Sequence, residues 1–237
     1  RVQVGHGLRT PAKATRGRQR QLHGLRALHE RIRLHDGVHF LLGFVTAWEL
    51  AQAIGGNHID ILAWDASLMQ MIEVDDEIRD HVDYFVGSEE SPPGAGYPYD
   101  TVFAPFRDTP TAATATLAQS FVDATLQVPA YASENICQSV IDSTKLAALD
   151  AAVDALGLEL IANKDSLSTV VPNIRLNAQS YKKNASRYYY DLYDVCLKLE
   201  STSGIGSLNT AASNVRAAID DAVVYEGHNI HSPGSHG

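Results

Sequence analysis

Two short runs constrain this chain more than any other feature. HIDILAW (58–64) and VDYFVGS (82–88) are rich in Ile, Val and aromatic residues and are bounded by turn-forming ones, as strands are. Between them, from Ser67 to Asp80, Leu68, Met71, Ile72 and Ile78 fall near the spacing of one helix face. Strand, helix and strand within about 30 residues form a βαβ unit, which implies parallel pairing and a right-handed crossover. An α/β fold follows, and open sheets of that class place ligands beyond the carboxyl ends of their strands. EESPPGAGYPYD (89–100), with two Pro and two Gly within five residues, is a loop at that end.

The flanking text is mostly helical. FVTAWELAQAI (44–54) predicts an amphipathic helix opened by a Thr46/Glu49 capping box and closed by Gly55-Gly56. Beyond Thr111, helices are expected over TAATATLAQSFVDATL, SVIDSTKLAALDAAVDALGLELIA (139–162), SRYYYDLYDVCLKLES and GSLNTAASNVRAAIDDAVVYEG. Tyr188, Tyr189 and Tyr190 are expected to divide between core and surface of the third of these. Strand signals fade in this half, and GHNIHSPGSHG reads as a loop. A fragment lacking its terminal strand or strands is therefore expected.

The 237 residues are 45% hydrophobic and 20% charged, enough for one generous domain. No apolar run reaches 18 residues, so no membrane span is expected, and the first residues lack the apolar core of a signal peptide. Charge is uneven. Residues 1–36 hold nine of the 19 Lys and Arg, with only Glu30 and Asp36 against them, while the other 201 residues carry 10 basic and 26 acidic ones. The chain thus divides into a basic, atypical segment (1–36) and an acidic domain (37–237). The segment reads as disordered, as proteolytically processed, or as text in a non-native frame. A nucleic-acid arm would interleave aromatic residues with the charges, and none are there, so no nucleic-acid partner is expected.

Cys137 and Cys196 lie far apart, without CxxC spacing, and read as small buried residues of two different helices. His228, His231 and His236 are close in sequence, but Pro233 and Gly234 preclude a helical i,i+4 pair, and no metal is expected. Gly204 and Gly206 do not follow a strand, which argues against a phosphate loop. Glu89 and Glu90 are adjacent and do not converge as glycosidase carboxylates must; they read as solvated charges or as the rim of a pocket.

The junction Asp65-Ala66-Ser67 admits two readings. Both Asp65 and Ser67 suit the N-cap of a helix over 68–80. A side chain between strand end and helix N-terminus also gains the dipole's help as a nucleophile, although a serine there needs an aligned base.

WDASLMQMIEV followed by VDYFVGSEESPPGAGYPYD resembles the clostripain-like cysteine peptidases, peptidase family C11. The matching residues are Asp65-Ala66-Ser67-Leu68-Met69, Ser88-Glu89-Glu90 and Gly96-Tyr97-Pro98-Tyr99. QSVIDSTKLAALDAAVDAL and YYYDLYDVCLKL are similar to two later helical motifs, and SPGSHG to the run into a final strand. The resemblance covers residues 45–237. It implies a caspase-like α/β/α sandwich with a mostly parallel central sheet and a helix-rich C-terminal half. It also implies an endopeptidase with a Cys/His dyad that cleaves peptides and proteins after Arg or Lys. Ser67 stands where that family has Cys. His6 would be the base, with Gly7 in the oxyanion hole; His23 in QLHG competes with His6. Asp65 would hold the basic side chain, with Ser88 and Glu89 beside it. No cofactor is implied, although some relatives use calcium. A bacterial secreted or cell-envelope setting is implied as well. The alternative is a catalytically inactive peptidase-fold module that binds basic peptides, which Ser67 favours.

Overall fold

The structure is a computed structural model, and it describes residues 2–5, 46–181 and 189–237. Its five-stranded sheet consists of β1 (Val2–Gly5), β2 (Ile59–Trp64), β3 (Val82–Gly87), β4 (Cys137–Asp142) and β7 (Val223–His228), in that spatial order. β1, β2 and β3 pair in parallel, whereas β4 pairs antiparallel with both β3 and β7. Four strands therefore run one way and β4 alone runs against them. A second ladder joins β5 (Ser180–Tyr181) to β6 (Tyr189–Tyr190).

The helices are α1 (Ala47–Ile54), α2 (Ile72–Ile78), α3 (Tyr99–Val102), α4 (Ala104–Asp108), α5 (Thr114–Leu126), α6 (Leu146–Ala162), α7 (Val170–Asn177), α8 (Leu192–Thr202) and α9 (Gly206–Ala222). The capping box on α1 forms as predicted, with Glu49 N–H donating to Thr46 and Thr46 N–H to Glu49, and Gly55 closes the helix. The β2–α2–β3 unit is the predicted parallel pair.

Alternation along the central strands explains the layering. Leu62, Trp64, Phe85 and Ile141 face one core, shared with α2, α6, α8 and α9. Ile61, Ala63, Val86 and Val140 face another, filled by Phe121, Val122 and Ala118 of α5 together with Tyr97 and Val102. The sheet is thus buried on both faces, as the α/β/α sandwich requires.

Three expectations need correction. The text from Ser139 to Ala162 is not one helix: β4 takes its first part, a 3₁₀ turn over Ser143–Lys145 follows, and α6 begins at Leu146. Cys137 consequently lies on a strand. Val223–His228 is a strand rather than the end of a helix and the start of a loop. Tyr189 and Tyr190 belong to β6 rather than to a helix, which starts only after the Asp191 cap; Tyr188 lies outside the described residues.

Phe85, fully buried on the central strand β3, tests the layering. Phe85→Ala is expected to cost about 3–5 kcal/mol, read as a lower urea midpoint at an unchanged slope.

Candidate active site

Trp64 ends β2, and the next residues make a tight turn at the carboxyl edge of the parallel strands. Ser67 is exposed at its tip and Asp65 is half-buried. Leu68 has φ 60, the one positive φ among the described non-glycine residues. Left-handed backbone costs such a residue about 1–2 kcal/mol. Loop 88–90, leaving β3, holds the turn there. Leu68 N–H donates to the Glu90 carbonyl at 3.4 Å, and Met69 and Gln70 N–H both donate to the Ser88 carbonyl at 3.2 Å. Gln70 then sends its side chain past Gly87, where a Cβ would collide with it, and its Nε2 donates to Ser139 Oγ on β4 at 3.0 Å.

This pairing displaces the predicted helix. The amides that would have entered the first helical turn are engaged with loop 88–90, so α2 starts only at Ile72, capped by Met71 without a side-chain bond. Ser67 therefore is not an N-cap. Nor does it sit at the helix N-terminus, and a dipole confined to the first turn of α2 does not reach it.

Asp65 lies under the GAGYPYD loop. Tyr99 OH donates to its Oδ2 at 2.6 Å. Burial and then the neighbouring carboxylate push the Tyr99 phenol up to about 12, so it remains a donor. Gly96 covers the same carboxylate at φ 75, and a Cβ there would stand 2.5 Å from Oδ2. Two more hydroxyls fasten the loop. Tyr131 OH donates to the Gly96 carbonyl at 2.8 Å, and the Tyr97 hydroxyl lies 3.1 Å from the Trp64 carbonyl and 3.0 Å from Gln138 Oε1. An anionic carboxylate at the edge of the sheet, oriented by a phenol and half open to solvent, suits a cationic ligand group.

Ser88 and Glu89 sit beside this turn but face inward. Ser88 is 1% exposed; its Oγ accepts from Glu90 N–H and lies 3.7 Å from Cys137 Sγ. Glu89 bonds the Tyr181 hydroxyl at 2.7 Å and Ser235 Oγ at 3.1 Å. Burial pushes the thiols of Cys137 and Cys196 up to about 12, so both remain protonated, and both are free.

His6, Gly7 and the competing His23 lie outside the described residues, as does nearly all of the basic segment. The structure brings together Asp65, Ser67, Ser88 and Glu89 at one sheet edge. Sequence reasoning missed Tyr99, Gly96 and Tyr131 as the partners of Asp65 and its loop. The GYPYD motif pointed at the first two without a role; nothing in the sequence marks Tyr131.

Among the described residues, His58, Asp60 and Asp83 are the one His/Cys/Asp/Glu set with ligating atoms all within 4.8 Å of one another. They sit at the opposite end of β2 and β3, and an imidazole nitrogen does not fit calcium, which takes oxygen ligands. His228 instead pairs with Glu226, and His236 stacks on Tyr193. Among the described residues, no helix is long and apolar enough to cross a membrane.

Comparison with solved structures agrees with this architecture. An inactive zymogen C11 protease from Parabacteroides distasonis matches with TM-score 0.56 at 22% identity, over 76% of this chain. This chain spans about half of that protein, 47% of its length. A clostripain from Bacteroides thetaiotaomicron, in complex with the peptide inhibitor BTN-VLTK-AOMK, matches with TM-score 0.59 at 16% identity, over 82% of this chain and 80% of its own. A secreted C11 cysteine protease from Bacteroides thetaiotaomicron, bound to an irreversible peptide inhibitor, matches with TM-score 0.55 at 22% identity, over 81% of this chain and 53% of its own. No curated protein sequence matches significantly. The model of the clostripain family matches residues 42–234. With that match spanning most of its length, on a sheet, turn and loop of the kind described above, the chain belongs to the clostripain family, peptidase family C11.

Proposed function

We propose that this domain receives an Arg or Lys side chain on Asp65 and presents the following peptide bond to residue 67. The observation that carries the reading is the placement of Asp65 and Ser67 on one turn, the acid held by Tyr99 and the hydroxyl exposed. The inhibitor peptide named in the Bacteroides clostripain complex, VLTK, ends in lysine, which supports the same choice.

The chemistry assigned to this edge is acyl transfer. An imidazole takes the proton of the nucleophile at 67 as it attacks the carbonyl carbon, amide hydrogens hold the oxyanion, and the imidazolium gives that proton to the leaving amine as the C–N bond breaks. Water then releases the acyl group. By resemblance the imidazole is His6 and one amide is that of Gly7, with His23 as the competing base. Gly5, the last residue of β1, pairs with Trp64, so β1 lies beside the strand that leads to Asp65. Ser88 and Glu89 contribute by fixing the loop behind the turn, since their side chains face inward. Calcium is retained only as a family trait. A secreted or cell-envelope setting goes with the same reading, one similar structure being that of a secreted enzyme.

Serine in place of cysteine bears on turnover rather than on binding. With the dipole of α2 out of reach, a hydroxyl at 67 depends wholly on its base. The second reading, a module that binds basic peptides without cutting them, rests on this residue.

Arg- and Lys-terminated reporter peptides test both. Ser67→Cys is expected to raise kcat/KM by at least about 10³-fold, with KM little changed. Equal rates in the two proteins, or none in either, would sink the assignment of position 67. Asp65→Asn is expected to weaken binding of the same peptides by about 10–100-fold, the loss of one charged hydrogen bond, whether or not they are cleaved. Tyr99→Phe leaves the acid but frees its orientation; a loss of about 5–10-fold in peptide affinity is expected, measured by calorimetry on the uncleaved complex.

A further inference from the structure

Behind the turn lies a polar cluster to which the proposed peptide binding assigns no role beyond support. Tyr181 OH is 2.7 Å from Glu89 Oε2, 3.0 Å from Asp191 Oδ2 and 3.0 Å from Ser235 Oγ. Ser235 Oγ is 3.1 Å from Glu89 Oε2, and His236 N–H donates to Asp191 Oδ2 at 2.8 Å. The other Asp191 oxygen caps α8, accepting from Asp194 N–H at 2.7 Å. Tyr181, Asp191 and Ser235 are each no more than 2% exposed, and Glu89 is half-buried beside them.

Counting hydrogens decides the state of this cluster. A phenol has one hydrogen, and Tyr181 can aim it at only one of the two carboxylates that flank it. Were both ionised, the other contact would set lone pair against lone pair in a buried site. One proton on the Glu89–Asp191 pair removes the conflict. The surrounding groups agree. Burial, then the Asp191 charge, pushes the Glu89 carboxyl up to about 8, against hydrogen bonds from Tyr181 and Ser235. Burial also raises Asp191, against amide bonds from Asp194 and His236, the Tyr181 bond and the His236 ring. Cys137 faces the pair from β4 as a neutral thiol. Asp194, on α8, is occupied by Lys198 and by the Gln179 amide.

We propose that Glu89 and Asp191 are a positioning pair for the nucleophile turn: one proton held between them fastens residues 235–236 to loop 88–90, and so fixes the Ser88 carbonyl that Met69 and Gln70 bond. Glu89 stands between the two residues whose carbonyls hold the turn, so movement of its side chain is transmitted directly to residues 68–70. The inference stands apart from whether Ser67 cleaves anything.

The sign of the pH dependence follows from linkage. The closed cluster holds its proton more tightly than an opened one, where Glu89 returns to its ordinary value of 4.5. The closed form is therefore most favoured at low pH. It loses that advantage progressively as pH rises, until the closed-form value near 8 is passed. Amide hydrogen exchange on the whole chain, corrected for intrinsic rates, reads this out for residues 68–70 and 235–237. Their protection is expected to fall by up to about tenfold per pH unit above pH ~5 and to level off near 8. Glu89→Gln, which keeps the shape of the protonated carboxyl, is expected to flatten the profile. Asp191→Asn, still a capping residue, removes the neighbouring charge and is expected to move the levelling point down by at least about one unit. A parent profile without this slope, or the same slope in either folded variant, would overturn the proposal; if Glu89→Gln does not fold, Asp191→Asn decides it.

Discussion

The Ser88 carbonyl accepts two backbone hydrogens, from Met69 and Gln70, and the geometry of this edge depends on that shared acceptor. It joins the segments that leave two adjacent parallel strands. Each such bond contributes about 1 kcal/mol net, and there are three of them with the Glu90 carbonyl included. Together with the bond from Gln70 to Ser139, they outweigh the roughly 1–2 kcal/mol of left-handed strain at Leu68. The turn at Ser67 is thus imposed by its neighbours rather than chosen locally. Such imposed turns recur at functional sites, because rigidity there keeps a reacting group in one orientation.

The same economy governs Asp65. Its carboxylate is half-buried rather than sealed in. What it receives instead is direction, from one phenol on a loop that the Tyr97 hydroxyl anchors to β2 and β4 and that the Tyr131 hydroxyl, from the turn over 129–131, holds by the Gly96 carbonyl. The acid and the turn therefore rest on different supports, the loop after Pro93 for Asp65 and loop 88–90 for residues 68–70. Damage to one need not abolish the other.

How much of this was legible in the sequence follows from which forces are local. β2 and β3 declared themselves through Ile, Val and aromatic residues between turn signals, and α1 through its capping box. β4 hid because CQSVID runs into helical text with no Gly or Pro between them. β7 hid for a similar reason: Val223 follows Ala222 of α9 directly, and the strand is only half covered. The spacing of Leu68, Met71 and Ile72 is helical, yet long-range bonds to residues 88 and 90 claim the backbone first. Tyr99 reaches Asp65 across 34 residues, a separation at which periodicity is silent. The βαβ unit gave a parallel α/β arrangement and the family resemblance implied the α/β/α layering; the partners of the site residues are set by contacts between distant segments.

β1 joins the sheet by pairing Val2–Gly5 with Ile61–Trp64, so that a long stretch of chain separates two adjacent strands. The entropy of closing a loop grows only with the logarithm of its length, and doubling that length costs about 0.6 kcal/mol. The intervening text is therefore almost free to drift in length and composition while the strands it connects stay paired. An unusually basic stretch and an ordinary parallel β1–β2 pair can coexist in one chain for that reason.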